Sequence, residues 1–238
     1  MSKKILISGG NGKLATCIRK NNTLYELITP SAEEMNICNF NQIDKFIYNN
    51  KPNIFIHSAA LTKPMILHEN QPSKSVRVNI IGTSNVVLAC MKHNVKLVYI
   101  STDYVYEGTD GNYKEDSSLK PFNKYGWSKL GGECAVKLYE NSLILRVAMI
   151  NSPFSYPKAL TDVRRSILFD NDIAKLVLEL INEIGVVNVG GDGKSVYEFA
   201  KQYNPKVEKI CLDDVKDVNM PSNITLNLDR LNKILKNK

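Results

Sequence analysis

Apolar positions along the chain follow two alternating rhythms. Short runs rich in β-branched residues predict strands: KKILISG at the start, LYELIT (24–29), NIFIHSAA (53–60), KLVYIST (96–102) and SLILRVAMI (142–150). Between them, GKLATCIRKNN (12–22), Asn41–Asn50, Val76–His93 and Phe122–Tyr139 carry apolar residues at three- and four-residue spacing and predict helices. Ile43, Phe46 and Ile47 would form the buried face of the second helix. Val76, Ile80, Val87, Leu88 and Met91 would form that of the third. Near-continuous apolar strands separated by amphipathic helices describe a parallel sheet covered on both faces. The expected fold class is therefore α/β, a Rossmann-type doubly wound parallel sheet.

Past Ile150 the rhythm loosens. NSPFSYPKALTDVRRS (151–166) is rich in turn formers and holds two prolines. Beyond it, Asp170 or Asp172 can cap a helix running to about Asn182, GVVNV (185–189) reads as a strand, and Ser195 can cap a helix through Tyr203. LNLDRLNKILKNK closes as a short basic helix. The expected division is a sheet domain over 1–150 and a small, abbreviated C-terminal lobe over 151–238, partly packed back on the main domain.

Composition narrows the picture modestly. Hydrophobic residues make up 43% and charged residues 23% of 238 positions, as in an ordinary globular chain. No run approaches the ~20 apolar residues that span a bilayer. MSKKILISGG reaches its glycines too soon for a signal-peptide core, so a cytoplasmic location is expected. The five scattered cysteines form no CxxC, and the three histidines stand apart. Reduced, mostly buried thiols are expected, with no metal site and with His57 hydrogen-bonded in the core. The formal charge of +7 comes largely from lysine, with no basic stripe interleaved with aromatics. This argues for a solvated surface, compatible with an anionic small molecule, and against nucleic acid or membrane as a partner.

The candidate chemistry begins in GGNGKLA (9–15), between the first strand and the first helix. Gly9 permits a tight turn, Gly12 lets the backbone approach a pyrophosphate, and Ala15 is small enough for close helix–strand packing. The helix amino terminus adds free N–H groups and partial positive charge. Dinucleotide binding follows from the motif in this context. In LITPSAEE the second strand ends without a clear acid at Thr29–Ser31, Glu33 and Glu34 coming later. With Lys13 in the turn, this favours NADP(H), NAD(H) remaining an alternative.

Two further stretches complete the constellation. KLVYISTDYVYEG ends a strand at Ser101 and Thr102, on the edge where ligands bind in open α/β sheets. About one helix later, KYGWSK places Tyr125 and Lys129 one turn apart on a common face. The glycine turn, HSAALT (57–62), VNIIGT (78–83), STDYVYEG (101–108) and YGWSK together resemble an extended short-chain dehydrogenase/reductase. STDYVYEG, YKEDSSLKPFNKYGWSKLGGE and LRVAMI resemble most the dTDP-4-dehydrorhamnose reductase group of nucleotide-sugar reductases. The similarity covers roughly residues 3 to 150.

The resemblance implies that 1–150 is an NAD(P)-binding domain, with Tyr125 as proton donor, Lys129 as its partner and Thr102 as the third member. It puts Gly9, Asn11, Gly12, Lys13, Leu14, Ser31, Ala59, Ala60, Leu61, Tyr125 and Lys129 around the cofactor. Thr62, Thr102, Asp103, Tyr104, Arg164 and Arg165 are then expected to face a nucleoside-diphosphate sugar, the arginines near its diphosphate. Asn79 is expected to bridge helix and sheet. The chemistry is physically sensible: tyrosine titrates near 10, and a neighbouring ammonium favours the tyrosinate. The implied activity is NADPH-dependent reduction of the C4 keto group of a 4-keto-6-deoxy sugar, compatible with a homodimer. Two alternatives stay open. One is a non-catalytic NADP-binding regulatory subunit resembling the methionine adenosyltransferase β subunit, suggested by the short lobe. The other is a bifunctional 3,5-epimerase/4-reductase; STDYVY holds no cysteine and the short segment no histidine, which favours reduction alone.

Overall fold

The computed structural model describes residues 2–215 and 220–238. Six strands form one parallel sheet: β1 (Lys4–Ser8), β2 (Glu26–Ile28), β3 (Ile54–His57), β4 (Lys96–Thr102), β5 (Ser142–Val147) and β6 (Gly185–Val189). Their spatial order is β6-β5-β4-β3-β1-β2, so the chain leaves β1 on one side and returns on its other side at β3. This reversal opens a crevice at the carboxyl ends of β1 and β3, where ligands bind in such sheets.

The continuous apolar strands are explained by burial on both faces. Ile5 and Ile7 of β1 and Ile54 and Ile56 of β3 pack toward α1 (Lys13–Asn21). Leu6 and Phe55, one residue out of phase, pack on the other face against Ile43 and Ile47 of α2 (Phe40–Asn50). α3 (Met65–Asn70) follows β3. α4 then runs through Pro72–Ser75, a π-wound Val76–Gly82 and Thr83–His93. α5 (Lys124–Lys137) packs beside it, started by the Asn123 side chain, which accepts from the Gly126 N–H at 2.8 Å.

One helix face differs from expectation. Val76, Leu88 and Met91 are exposed, at 43%, 56% and 38%, while Asn79, Thr83, Val86, Val87 and Cys90 are buried. The buried positions keep helical spacing but fall beside the apolar ones, because small and polar Ser75, Asn79, Gly82 and Thr83 occupy the inward face. Of the cysteines only Cys90 is buried; Cys17 and Cys38 are half-buried, and Cys134 and Cys211 lie exposed as free thiols. No described helix is long and apolar enough to cross a membrane.

The C-terminal stretch is divided between two places. α6 (Asp170–Leu180), β6 and α8 (Asp229–Lys236) extend the main sheet, with Ile173, Val177, Val187 and Leu231 in its core. A smaller core of Phe154, Ala159, Ile167, Phe169, Phe199 and Val207 gathers around α7 (Val196–Tyr203). Ser195 caps α7 as expected, in a reciprocal box with Glu198. Short strands at Lys158–Leu160 and Arg164–Arg165 pair with Glu208–Ile210 and Lys194–Ser195.

Candidate active site

The glycine turn forms a tight cradle between β1 and α1. Gly9 takes a positive φ of 72°, and a Cβ there would lie 3.0 Å from the Ala59 Cα. The Gly12 N–H donates to the Gly9 carbonyl at 2.8 Å, and a Cβ on Gly12 would press to 2.9 Å of that oxygen. The first turn of α1 holds no acidic side chain, and Gly12 supplies no side-chain cap. Its N–H groups thus keep their attraction for an anion. These features fit a dinucleotide diphosphate. Asn11 and Lys13 are exposed at the turn, whereas Leu14 and Ala15 turn into the core beneath it.

The opposite wall is the segment after β3. The Ser58 hydroxyl donates to the Ser8 carbonyl at 2.7 Å, and the Ala59 N–H reaches the Ser8 hydroxyl at 3.3 Å. Asn79 grips Leu61 at both ends: its Oδ1 accepts from the Leu61 N–H at 2.8 Å and its Nδ2 donates to the Leu61 carbonyl at 2.9 Å. The same Nδ2 reaches the Ser128 hydroxyl at 2.8 Å, tying this wall to α5. From within the π-wound turn, Asn79 thus joins α4 to the loop after β3 and to α5, and not to the sheet itself as expected. Ala59, Ala60 and Leu61 are half-buried, whereas Thr62 is exposed. His57 is held by Ser8 at 2.8 Å and Thr83 at 3.0 Å; burial lowers it to about 3, so it is a neutral core histidine.

Thr102 closes β4, and Tyr125 and Lys129 occupy the first two turns of α5. Lys129 is 3% exposed, donates to the Ile100 carbonyl at 2.9 Å and stacks over the Tyr99 ring at 4.2 Å. Burial pulls its amine down to about 7, and the Glu133 carboxylate one turn on opposes that shift. Tyr125 lies between the rings of His68, at 5.0 Å, and Tyr104, at 5.9 Å. Burial first and the Asp103 charge second raise its phenol above the ordinary value; the Thr102 hydroxyl works the other way. Thr102 itself donates to Asp103 Oδ1 at 3.1 Å and accepts from the Tyr104 N–H at 3.3 Å.

The two adjacent arginines diverge, as neighbours on a strand do. Arg164 is half-exposed and donates to the Gly193 carbonyl at 2.8 Å. Arg165 turns inward onto Asp103 and reaches the Tyr104 hydroxyl at 3.3 Å, over whose ring it stacks at 4.7 Å. Its guanidinium therefore serves Asp103 and Tyr104. Ser31 lies apart from this centre, beside the glycine turn, with its hydroxyl accepting from the Glu34 N–H at 3.3 Å.

Sequence reasoning did not reveal His68, fully buried with Nδ1 on the Ser75 hydroxyl at 2.8 Å, as the aromatic neighbour of Tyr125. It also missed the buried Glu133–Arg146 pair, which takes in Ser101. A glutamate one turn beyond Lys129 was the available signal for the latter. His68 offered none, because 57 residues separate it from Tyr125.

Residues 3–178 match the family described as RmlD substrate binding domain. Methionine adenosyltransferase 2 subunit beta of Bos taurus is 30% identical over 178 residues, covering 71% of this chain and 52% of that protein. The chain thus spans about half the length of the methionine adenosyltransferase relatives it matches. A dTDP-4-dehydrorhamnose reductase of Aggregatibacter actinomycetemcomitans is 31% identical, covering 91% of this chain and 83% of the relative. Among solved structures, a dTDP-4-dehydrorhamnose reductase of Bacillus anthracis in complex with NADP superposes with a TM-score of 0.90 at 25% identity. It covers 98% of this chain and 93% of that one.

Proposed function

The chain belongs to the RmlD substrate binding domain family, and from that membership we propose that it is an NAD(P)H-dependent reductase of the C4 keto group of a nucleoside-diphosphate 4-keto-6-deoxy sugar. What supports this reading is the Thr102 hydroxyl next to the Tyr125 phenol, with Lys129 one turn further along α5, together with a glycine turn that fits a dinucleotide. Gly9, Gly12 and the first turn of α1 would hold the diphosphate, and Ala59 to Leu61 the opposite side.

A reduced nicotinamide bound there would supply the hydride. The remaining work falls to side chains. Tyr125, kept protonated by burial and by Asp103, holds the proton that the substrate oxygen takes as it gains charge. The Thr102 hydroxyl lies where it can turn from Asp103 to that oxygen and share the developing charge. Lys129, with an amine lowered to about 7, carries positive charge for a fraction of the time at neutral pH. In that form it favours proton release from the phenol. The His68 and Tyr104 rings pack against the half-buried Tyr125 ring and limit its movement.

The test is a panel of dTDP-, UDP- and GDP-linked 4-ketosugars mixed with NADPH and NADH, followed at the reduced-nicotinamide absorbance. One or more should deplete it. Tyr125→Phe should cut kcat by ~10²- to 10⁴-fold while cofactor still binds. No turnover on any member overturns the reading. The similarity to methionine adenosyltransferase 2 subunit beta supports a second reading, a dinucleotide-binding regulatory subunit. Cofactor binding without turnover, together with a changed rate of an added methionine adenosyltransferase, would favour it. Solvent deuterium in the product ring beyond the reduced centre would add epimerisation.

A further inference from the structure

We infer that Glu34 makes this chain prefer NADH to NADPH, by filling the corner at the end of β2 that a 2′-phosphate would need. The inference rests on the reading of the glycine turn as a dinucleotide cradle, and it reverses the expectation drawn from sequence. In this architecture the adenosine ribose lies at the end of the second strand. An acid about 20 residues past the glycines takes its 2′-hydroxyl, or a basic side chain takes its 2′-phosphate.

That end of β2 is pressed directly onto the turn. The Gly10 N–H donates to the Pro30 carbonyl at 3.2 Å, and a Cβ on Gly10 would stand 2.3 Å from the Thr29 oxygen. Ser31 comes next, so its N–H and hydroxyl are placed to receive an anion at this corner. Glu34 already engages both. The Ser31 N–H donates to Glu34 Oε2 at 2.7 Å, the Glu34 N–H donates to the Ser31 hydroxyl, and the Met35 N–H closes the turn on the Ser31 carbonyl at 3.0 Å. The bonds from Ser31 hold the Glu34 carboxyl below its usual range, so it is ionised at neutral pH.

A phosphate dianion brought to this corner meets a carboxylate of like charge sitting on the Ser31 N–H, beside a Ser31 hydroxyl that already accepts from the Glu34 N–H. A ribose diol meets the opposite situation. Hydroxyls donate, and an ionised carboxylate offers several lone pairs, of which Ser31 uses one on Oε2. Two cations belong to the neighbourhood. Arg19 is committed to the Gly10 carbonyl at 2.6 Å and to the Thr16 hydroxyl at 2.9 Å. Lys13 is exposed on the glycine turn and is the residue that would favour the phosphate. Thr29, Pro30 and Ser31 hold no acid in sequence; the turn over 31–35 brings one back to Ser31 from three positions later.

The experiment is direct titration of the whole protein with NADH and NADPH, and with their oxidised forms, by fluorescence or calorimetry. NADH should bind at least about tenfold more tightly than NADPH. Glu34→Gln, which preserves the capping geometry, should tighten NADPH by about tenfold and change NADH by less. Equal or tighter NADPH binding by wild type, or a preference unmoved in Glu34→Gln, overturns the inference. Binding of neither cofactor removes the dinucleotide cradle and the inference together. A chain that prefers NADH yet reduces no ketosugar supports the inference and removes only the reductase reading.

Discussion

Arg165 donates from Nε and Nη2 to Asp103 Oδ2, at 3.0 and 2.6 Å, across 62 residues of chain. The pair joins the C-terminal stretch to the residue that follows Thr102. Asp103 raises the Tyr125 phenol and Arg165 lowers it. Arg165→Met should leave a buried carboxylate uncompensated, costing about 3–5 kcal/mol in urea unfolding. It should also move the alkaline limb of kcat/KM to higher pH, because Tyr125 then stays protonated longer. Adding Asp103→Asn should recover much of both losses; a double variant no better than the single would show the pair is not the cause.

Lys129 ties stability to pH in a defined direction. Its folded value of about 7 lies below the ordinary lysine value of 10.5, so between these limits the unfolded chain binds more protons. The Lys129 contribution to stability therefore rises with pH across about 7 to 10.5. Its cost is full below about 7 and gone above 10.5. Lys129→Met should stabilise the protein at about pH 6, with the advantage shrinking by about pH 9, as compared by urea midpoints. An advantage that does not vary with pH would contradict the assignment.

At the cradle, Gly10→Ala forces a methyl to 2.3 Å of a backbone oxygen, so the end of β2 must separate from the turn. A stability loss of about 1–3 kcal/mol is expected, with weakened dinucleotide binding by titration. Gly185→Ala provides the contrast. Gly185 has a positive φ of 83° but its nearest contact is 3.5 Å away. It should cost about 1–2 kcal/mol of backbone strain and leave binding unchanged.

Burial separates two kinds of ion pair. Arg146 and Glu133 are 0% and 1% exposed, whereas Lys120 and Glu107 are 69% and 43% exposed. Glu133→Gln should cost about 3–5 kcal/mol because Arg146 keeps its charge inside. Glu107→Gln should cost less than about 1 kcal/mol. Chemical denaturation of the two variants side by side measures the difference.

The sequence by itself determined the sheet, the glycine turn and the Tyr125–Lys129 pair. Each depends on neighbours within a few positions: alternation for strands buried on both faces, the steric freedom of Gly9, and four-residue spacing on a helix face. Even local counting failed once, in α4, where small and polar Ser75, Asn79, Gly82 and Thr83 occupy the buried face and Leu88 and Met91 lie exposed. Only the tertiary structure decided which groups surround Tyr125. His68 is brought there by α3, Asp103 acquires Arg165 from a segment expected to face the sugar diphosphate, and the wall at Leu61 is held by Asn79. Such contacts join residues from 18 to 62 positions apart. They follow from how layers pack against the sheet, which no short-range periodicity encodes. The corner at Ser31 lies between these cases: its acid was visible in the sequence, but only the turn that folds Glu34 back shows where that charge sits.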